Sequence, residues 1–191
     1  MSPIAIVGLG NPGLEYSGTR HNAGFWLLDE FAEKLNVTWK QKPRFHCEMG
    51  FALSSAKSLI LVKPNNFINC SGEYLKPLLD YHKCISSETI VIHDDIAFAT
   101  GQIRLSRNRG HGGHNGVKDI IRTIGTDFIR LRIGVGARND SRMDLADHVL
   151  SRLTTPEIRT LTNKLDFFLS TLRALLDKGC AHAMNSVNQT T

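Results

Sequence analysis

The sequence predicts an α/β fold, in which a twisted mixed β-sheet is flanked by helices. Short apolar runs of strand length alternate along the chain with longer segments of helical periodicity, a pattern typical of a layered α/β domain. The 191 residues, 41% of them hydrophobic, can bury one sizeable core and are too few for two typical domains. We therefore expect residues 1–191 to form a single domain.

Six segments have the length and the Ile, Val and Leu content of strands. They cover residues 4–7, 47–53, 59–62, 89–93, 102–105 and 129–135. Helical spacing of apolar residues appears near residues 23–35, 71–82, 115–124 and 156–178. Gly179 is a plausible stop for the last helix, and the polar chain from about residue 185 is expected to be a frayed, disordered tail.

Composition and cysteine spacing predict a cytoplasmic protein. No basic stretch precedes an apolar run at the N-terminus, and no apolar run is long enough for a membrane span. Widely spaced cysteines without a C-x-x-C pair argue against a disulfide framework or a zinc knuckle. We expect these thiols to be reduced; they are Cys47, Cys70, Cys84 and Cys180.

The positive charge of the chain is unevenly distributed. The formal charge is +5, and nine of the basic residues fall between Gly101 and Arg142, against three aspartates. A block that is rich in arginine rather than lysine suits bidentate contacts with phosphate and indicates a polyanionic partner. A solvated basic face is the alternative. The block consists of Arg104, Arg107, Arg109, Lys118, Arg122, Arg130, Arg132, Arg138 and Arg142.

A glycine-rich turn after the first strand leads to a polar cluster centred on His21. The turn, Gly8-Leu9-Gly10-Asn11-Pro12-Gly13, fits the G-x-G-x-x-G pattern of dinucleotide-binding folds. That pattern requires a helix to begin at the third glycine, so that its N–H groups face a pyrophosphate. No helical stripe follows Gly13, which makes cofactor binding the weaker hypothesis.

Two further polar clusters follow strands. Asn65, Asn66 and Asn69 succeed one strand, and carboxamides can hold a peptide group or an ester carbonyl without adding charge. The sequence His93-Asp94-Asp95 ends another, where catalytic carboxylates are common. Metal ligation by His93, Asp94, His111 and His114 is an alternative, although no fixed-geometry metal motif is present.

The available side chains favour a hydrolase that activates water. Ser71 lacks the G-x-S-x-G setting of a nucleophile, and Cys70 precedes an apolar helix, where a buried structural thiol is expected. A histidine with an ordinary pKa near 6.5 can accept a proton from water at cytosolic pH. An aspartate on its other ring nitrogen would fix the tautomer and stabilise the imidazolium.

Five separated motifs together resemble bacterial peptidyl-tRNA hydrolase, in the family's order and spacing. The first comprises residues 8–13 with Tyr16 and residues 19–25, and the others lie at residues 63–72, 93–95, 110–118 and 130–136. The resemblance implies a monomeric α/β enzyme that hydrolyses the ester between a peptide and the 3′ ribose of tRNA, recycling peptidyl-tRNA dropped from ribosomes. It implies no metal, no organic cofactor and no obligatory protein partner.

The resemblance also implies roles for individual residues. His21 matches the catalytic base, and Asp94 matches the aspartate that keeps it basic. Asn11 matches the asparagine that distinguishes N-blocked from free aminoacyl groups. Asn69 and Asn115 match the amides that hold substrate and water.

Other matching positions concern the ends of the substrate. Tyr16 and Phe67 match positions that bind the tRNA end or the peptide. Ile68 stands where the family usually has methionine, so the expected peptide channel keeps an apolar wall but loses a flexible one. Asn66 replaces a usual threonine, and Ala97-Phe98 replaces an acidic-apolar pair.

Arg132 matches one half of a basic clamp on the 5′-phosphate of tRNA. Ser106 stands at the position of the clamp's usual lysine, so we expect Arg104 or Arg107 to supply that charge. Arg109 replaces a glycine in the loop before His111. Two other classes of function stay open at this point: a tRNA-binding module without catalysis, and a cofactor-dependent oxidoreductase.

Overall fold

The computed structural model describes residues 2–54, 56–138 and 142–189. Seven strands occur in these residues: β1 (Ile4–Gly8), β2 (Lys40–Lys42), β3 (Cys47–Ser54), β4 (Lys57–Pro64), β5 (Ile90–Asp95), β6 (Ile103–Ser106) and β7 (Ile129–Gly134). Seven α-helices accompany them: α1 (Ala23–Lys34), α2 (Leu75–His82), α3 (Asn115–Ile124), α4 (Leu145–Leu150), α5 (Thr155–Asn163), α6 (Leu165–Lys178) and α7 (Cys180–Gln189).

The strands form one mixed sheet in the order β2-β3-β4-β1-β5-β7-β6. Its centre is parallel, because β4, β1, β5 and β7 run in one direction. The outer strands β3 and β6 are antiparallel to their inner neighbours, and β2 is antiparallel to β3. The carboxyl ends of the four parallel strands therefore lie at one edge of the sheet.

Both faces of the sheet are covered, and this explains the nearly continuous apolar runs of its central strands. Alternate residues point to opposite faces, so Ile6 and Ile92 belong to one core and Val7 and Val91 to the other. Helices α1 and α6 pack on the first face, with α2 and α3 on the second. Among the described helices, none has the length and apolar character needed to cross a membrane.

The predicted α/β class is confirmed, with differences at particular elements. The helix predicted at 156–178 is two helices, because the chain bends at Lys164 between α5 and α6. A capping box of Thr154 and Glu157 begins α5. Strand β2 and helix α4 were not predicted, since Lys40-Gln41-Lys42 has no apolar residue and α4 is a helix of only six residues.

The expected disordered tail is wrong for residues 185–189, which form the end of α7. Val187 is buried in the core. The Asn188 side chain pairs with the exposed edge of β6: its Nδ2 donates to the Leu105 carbonyl and its Oδ1 accepts from the Leu105 N–H, each at 3.0 Å. Two hydrogen bonds to an edge strand, added to apolar burial, hold this polar segment on the sheet.

Replacing Asn188 with alanine should lower the free energy of unfolding by about 1 kcal/mol, because water replaces the lost hydrogen bonds only in part. Urea denaturation measures the change. The control is Asn185→Ala on an exposed position of the same helix, expected to change stability by less than about 0.5 kcal/mol. Equal effects of the two substitutions would contradict the role of Asn188.

Candidate active site

The polar clusters that follow strands meet at the carboxyl edge of the parallel sheet. Asp94 lies near the end of β5, and the glycine-rich turn follows β1. The asparagine-rich segment follows β4 and forms a 3-10 turn at Ile68–Cys70. A sheet with parallel central strands thus brings together segments that are distant in sequence.

His21 is placed by the close approach of α1 to the sheet. It lies in a 3-10 turn, Arg20–Asn22, directly before that helix. A Cβ atom on Gly24 would overlap the backbone of Leu9 and the carbonyl of Ile92, so a larger residue would push the helix away. With α1 seated in this way, His21 Nδ1 lies 2.8 Å from Asp94 Oδ1.

Asp94 is ionised and fixes the tautomer of His21. Burial alone would raise the pKa of its carboxyl group, but the adjoining His114 and His21 rings outweigh burial and hold that pKa well below its usual range. A carboxylate only accepts hydrogen bonds, so His21 Nδ1 carries the proton that it donates. The Nε2 atom of neutral His21 is then an unprotonated base.

A second histidine, His114, donates to the same carboxylate oxygen. Its Nε2 lies 3.0 Å from Asp94 Oδ1, and its ring centre lies 4.9 Å from that of His21. Its Nδ1 accepts the Val117 N–H at the start of α3, which leaves the proton on Nε2. In the sequence, the pattern around His114 suggested only metal ligation and did not reveal this role. Its position directly before a helix was the available signal.

His93 is buried behind this group and is neutral. Its Nδ1–H donates to the Asp94 carbonyl at 2.6 Å, and its ring packs edge-on against His114 at 4.7 Å. Burial, together with the neighbouring His114, lowers the pKa of His93 well below its usual value. Its Nε2 has no hydrogen-bond partner in the described part of the chain.

Hydrogen bonds hold both the side chain and the backbone of Asn11. Its side-chain oxygen accepts the Ile68 N–H at 2.8 Å, while its backbone exchanges two hydrogen bonds with the Asn22 side chain. The amide nitrogen of Asn11 makes no hydrogen bond with any described residue. This nitrogen is a donor available to a ligand.

Asn69 and Asn115 lie on two segments that are packed together. A Cβ atom on Gly116, next to Asn115, would come within 2.8 Å of the Ile68 carbonyl, next to Asn69. Both asparagines are exposed. Ile68 itself is only 5% exposed and packs in the core, so its role as a peptide-channel wall stays a prediction.

Aromatic residues flank the site. Tyr16 and Phe67 contact each other edge to face, with ring centres 6.2 Å apart. Phe67 is 59% exposed, which leaves one face of this aromatic pair open. His21, Asp94 and Asn115 line a cavity of about 230 Å³, together with part of α4.

The arginines expected to form a clamp are only partly brought together. Arg132 and Arg104 are paired across β7 and β6, and both guanidinium groups lie over the Phe98 ring, at 4.7 and 5.8 Å. Arg132 also donates to Asp95 at 2.7 Å, at the end of β5 next to Asp94. Arg107 donates instead to Asp127 at 2.6 Å. The geometry therefore favours Arg104 over Arg107 as the neighbour of Arg132.

Arg130 is a further cation that the sequence analysis did not single out. It pairs across the sheet with Ser106, the position of the missing lysine. Its side chain is buried and donates to the Gly110 carbonyl at 2.9 Å, anchoring the loop that leads to His114. Burial, with Arg132 and Arg109 nearby, lowers the pKa of Arg130 to about 10.

The geometry also bears on two alternatives. His21, Asp94 and His114 offer donor atoms within 4.8 Å of one another, which could hold a metal ion. Hydrogen bonds from His21 and His114 to Asp94 explain this short spacing without a metal ion. The dinucleotide pattern has no helix at its third glycine: a 3-10 turn, Leu14–Tyr16, follows Gly13, and α1 begins only at Ala23.

Comparisons with known proteins identify the family. The family model described as peptidyl-tRNA hydrolase matches residues 5–191. The chain belongs to the peptidyl-tRNA hydrolase family. It is 40% identical over 189 residues to the peptidyl-tRNA hydrolase of Acinetobacter baylyi, covering 98% of this chain and 97% of the relative. It is 37% identical over 174 residues to that of Rickettsia rickettsii, covering 91% and 94%.

A solved structure agrees with this assignment. The peptidyl-tRNA hydrolase of Acinetobacter baumannii superposes with a TM-score of 0.91 at 36% identity, covering 97% of this chain and 94% of that one. The resemblance found in the sequence is confirmed, and the protein is an enzyme of the hydrolase class. The binding-module and oxidoreductase hypotheses are thereby set aside.

The burial of neutral His93 predicts a pH-dependent stability. The pKa of His93 is lowered on folding. The stability that the neutral ring contributes is therefore complete above its unfolded pKa near 6.5 and is lost as the pH falls below that value. Between pH 7.5 and 5.5 the free energy of unfolding should fall by about 1.4 kcal/mol less in His93→Asn than in the natural protein. Urea titrations at both pH values measure this difference, and equal losses would show that His93 is not held neutral.

Proposed function

We propose that the protein hydrolyses the ester bond between a peptide, or an N-blocked amino acid, and the 3′ end of tRNA. The products are free tRNA and peptide, which recycles peptidyl-tRNA dropped from ribosomes. One observation carries the proposal: the ionised Asp94 orients His21 so that an unprotonated ring nitrogen is left to act on water. Membership of the peptidyl-tRNA hydrolase family supports the choice of substrate.

The reaction follows from this arrangement. His21 Nε2 takes a proton from water as the water oxygen attacks the ester carbonyl carbon. The resulting tetrahedral intermediate collapses, the bond between the carbonyl carbon and the ribose oxygen breaks, and the proton on His21 passes to the leaving 3′ oxygen. Asp94 stabilises the transient imidazolium across the 2.8 Å contact. His114 acts as a positioning residue, because it holds the same carboxylate oxygen.

Carboxamides bind the reacting groups. Asn69 and Asn115 are exposed on adjoining segments, where their N–H groups can hold the carbonyl oxygen and the attacking water. The unpaired amide nitrogen of Asn11 donates to the peptide carbonyl of a blocked amino acid. A free amino group offers no such acceptor, and this difference selects the N-blocked substrate.

The tRNA is held by contacts outside the reacting centre. Bases of the single-stranded 3′ end stack on Tyr16 and Phe67, whose rings are only partly covered. Arg132, with Arg104 beside it, binds the 5′-phosphate. We propose further that the enzyme is a cytoplasmic monomer that uses no metal, organic cofactor or obligatory protein partner.

Replacing His21 with alanine should lower kcat by about 10³-fold, because general-base catalysis is removed. The measurement is release of N-acetyl-alanine from N-acetyl-alanyl-tRNA, with alanyl-tRNA as the unblocked comparison. His182→Ala, on an exposed position of α7, is the control and should keep normal turnover. Turnover of the His21 variant within tenfold of normal would contradict the mechanism.

Replacing Arg132 with glutamine should weaken tRNA binding and make it less dependent on salt. One lost phosphate contact reduces the slope of log affinity against log salt by about 0.7 to 0.9. Fluorescence titration of tRNA from 50 to 200 mM salt measures the slope. Arg159→Gln, an exposed arginine on α5, is the matched control. The clamp assignment fails if the Arg132 and Arg159 variants have the same slope.

A further inference from the structure

Arg20, the residue before His21, is buried in the interior of the protein. It is 7% exposed and lies in the same 3-10 turn as His21. Arginine is rarely buried unless it is paired, because an isolated charge loses its hydration. The position of Arg20 beside His21 therefore depends on partners inside the protein.

Glu157, at the start of α5, is the ionic partner of Arg20. Nη2 of Arg20 donates to Glu157 Oε1 at 2.7 Å and to Oε2 at 2.8 Å. The pKa of Glu157 is lowered: burial alone would raise it, but hydrogen bonds from Thr154 and Arg20 outweigh burial. Glu157 is therefore ionised, and the contact is a charge-assisted ion pair.

The other amino group of Arg20 binds the chain between α4 and α5. Nη1 donates to the Ser151 hydroxyl and to the Arg152 carbonyl, each at 2.8 Å. Of the guanidinium nitrogens of Arg20, only Nε has no hydrogen-bond partner among the described residues. Because the guanidinium group is planar and rigid, bonds from both amino groups fix its orientation.

The backbone around Arg20 is joined to the same segment. The Arg20 N–H donates to the Ser151 carbonyl at 3.1 Å. Thr19 and Arg152 form an antiparallel β-bridge beside this bond. The turn that carries His21 is thus paired, by backbone and side chain, with a segment that is distant in the sequence.

His21 is thereby held on both sides. Its 3-10 turn has only three residues, too short to be stable alone, so contacts with other elements must fix it. On the C-terminal side, Gly24 lets α1 pack closely against the backbone of Leu9 and Ile92. On the N-terminal side, Arg20 is the anchor.

Arg20 also connects His21 with a wall of the cavity that contains it. Ser151 is the C-cap of α4, and its hydroxyl donates to the His148 carbonyl. Other residues of α4 line this cavity together with His21 and Asp94. The Arg20 guanidinium therefore binds the end of the helix that helps to form the cavity.

We propose that Arg20 is a positioning residue for the hydrolysis: its bonds to Glu157 and to residues 151–152 hold His21 against Asp94 and join it to α4. This inference rests on the proposed function, in which His21 is the general base. Arg20 does not line the cavity of His21 and Asp94, so it acts through His21. A displacement of a catalytic group by about 1 Å can lower a rate by about 10²-fold, which makes turnover sensitive to this anchor.

The test replaces both members of the ion pair with apolar residues. Exchange of a buried ion pair for apolar side chains of similar size often leaves stability unchanged, whereas removal of one member leaves a buried charge without a partner. Arg20→Met/Glu157→Met should therefore fold, with a urea denaturation midpoint close to that of the natural protein. Its kcat for N-acetyl-alanyl-tRNA should fall about tenfold or more, with KM changed by less than about twofold, because the substrate-binding groups remain in place.

Proton NMR separates positioning of His21 from overall stability. The His21 Nδ1–H, which donates to Asp94 at 2.8 Å, should give a downfield signal that exchanges slowly with water in the natural protein. In Arg20→Met/Glu157→Met this signal should broaden or disappear. The signal of the His114 Nε2–H, which donates to the same carboxylate from α3, should remain.

Two further variants complete the test. Lys76→Gln/Asp80→Asn removes an exposed ion pair on α2 and should leave both kcat and the His21 signal unchanged. If Arg20→Met/Glu157→Met does not fold, Glu157→Gln takes its place. It keeps the shape of the side chain and removes its charge, so kcat should fall about threefold and the His21 signal should weaken.

The outcomes separate the inference from the function on which it rests. Failure of the natural protein to hydrolyse N-acetyl-alanyl-tRNA would overturn the proposed function. Unchanged kcat in the folded variant of the Arg20–Glu157 pair would leave that function standing and overturn the role of Arg20. A lower kcat with an unchanged His21 signal would overturn that role as well, because His21 would then have kept its position.

Discussion

A single carboxylate oxygen, Oδ1 of Asp94, organises the candidate active site by accepting hydrogen bonds from two imidazoles. His21 approaches it through Nδ1 and His114 through Nε2. The carboxylate is almost fully buried, at 1% exposure, and a buried charge is stable only when it is hydrogen-bonded. Its two donors meet that requirement, and in doing so they define the protonation of both rings. The free-energy cost of burying the Asp94 charge is thus offset by hydrogen bonds from the two rings whose protonation it fixes.

The sheet topology makes this convergence possible. Asp94 lies at the end of a central parallel strand. His21 reaches it because Gly24 lets α1 pack closely against the backbone of the sheet, and His114 lies directly before α3. Arg130 anchors that loop from the neighbouring strand. Arg132 and Arg104 are paired on β7 and β6, and β7 lies next to β5, which carries Asp94.

The fold class could be predicted from the sequence, and so could the meeting of His21 and Asp94 at one edge of the sheet, because both have local signatures. Strand-length apolar runs mark the central sheet, and Asp94 at a strand end marks the site. Other features depend on long-range contacts that no local pattern reveals. Asn188 holds a polar tail to β6, Arg130 occupies the space beside Ser106, and His114 shares a carboxylate 20 residues away. Of residues 140–148, the structure describes 142–148, and Leu145 begins α4.

The central claim is that the neutral His21 carries its proton on Nδ1 and leaves Nε2 free. Nitrogen-15 NMR of histidine-labelled protein, assigned with single His variants and recorded near pH 7.5, measures this directly, since the two ring nitrogens of a neutral imidazole have distinct shifts. We expect opposite tautomers, with the proton on Nδ1 in His21 and on Nε2 in His114. A proton on Nε2 of His21 would contradict it, because the remaining lone pair would then lie on Nδ1, which faces Asp94, and Nε2 could not take a proton from water.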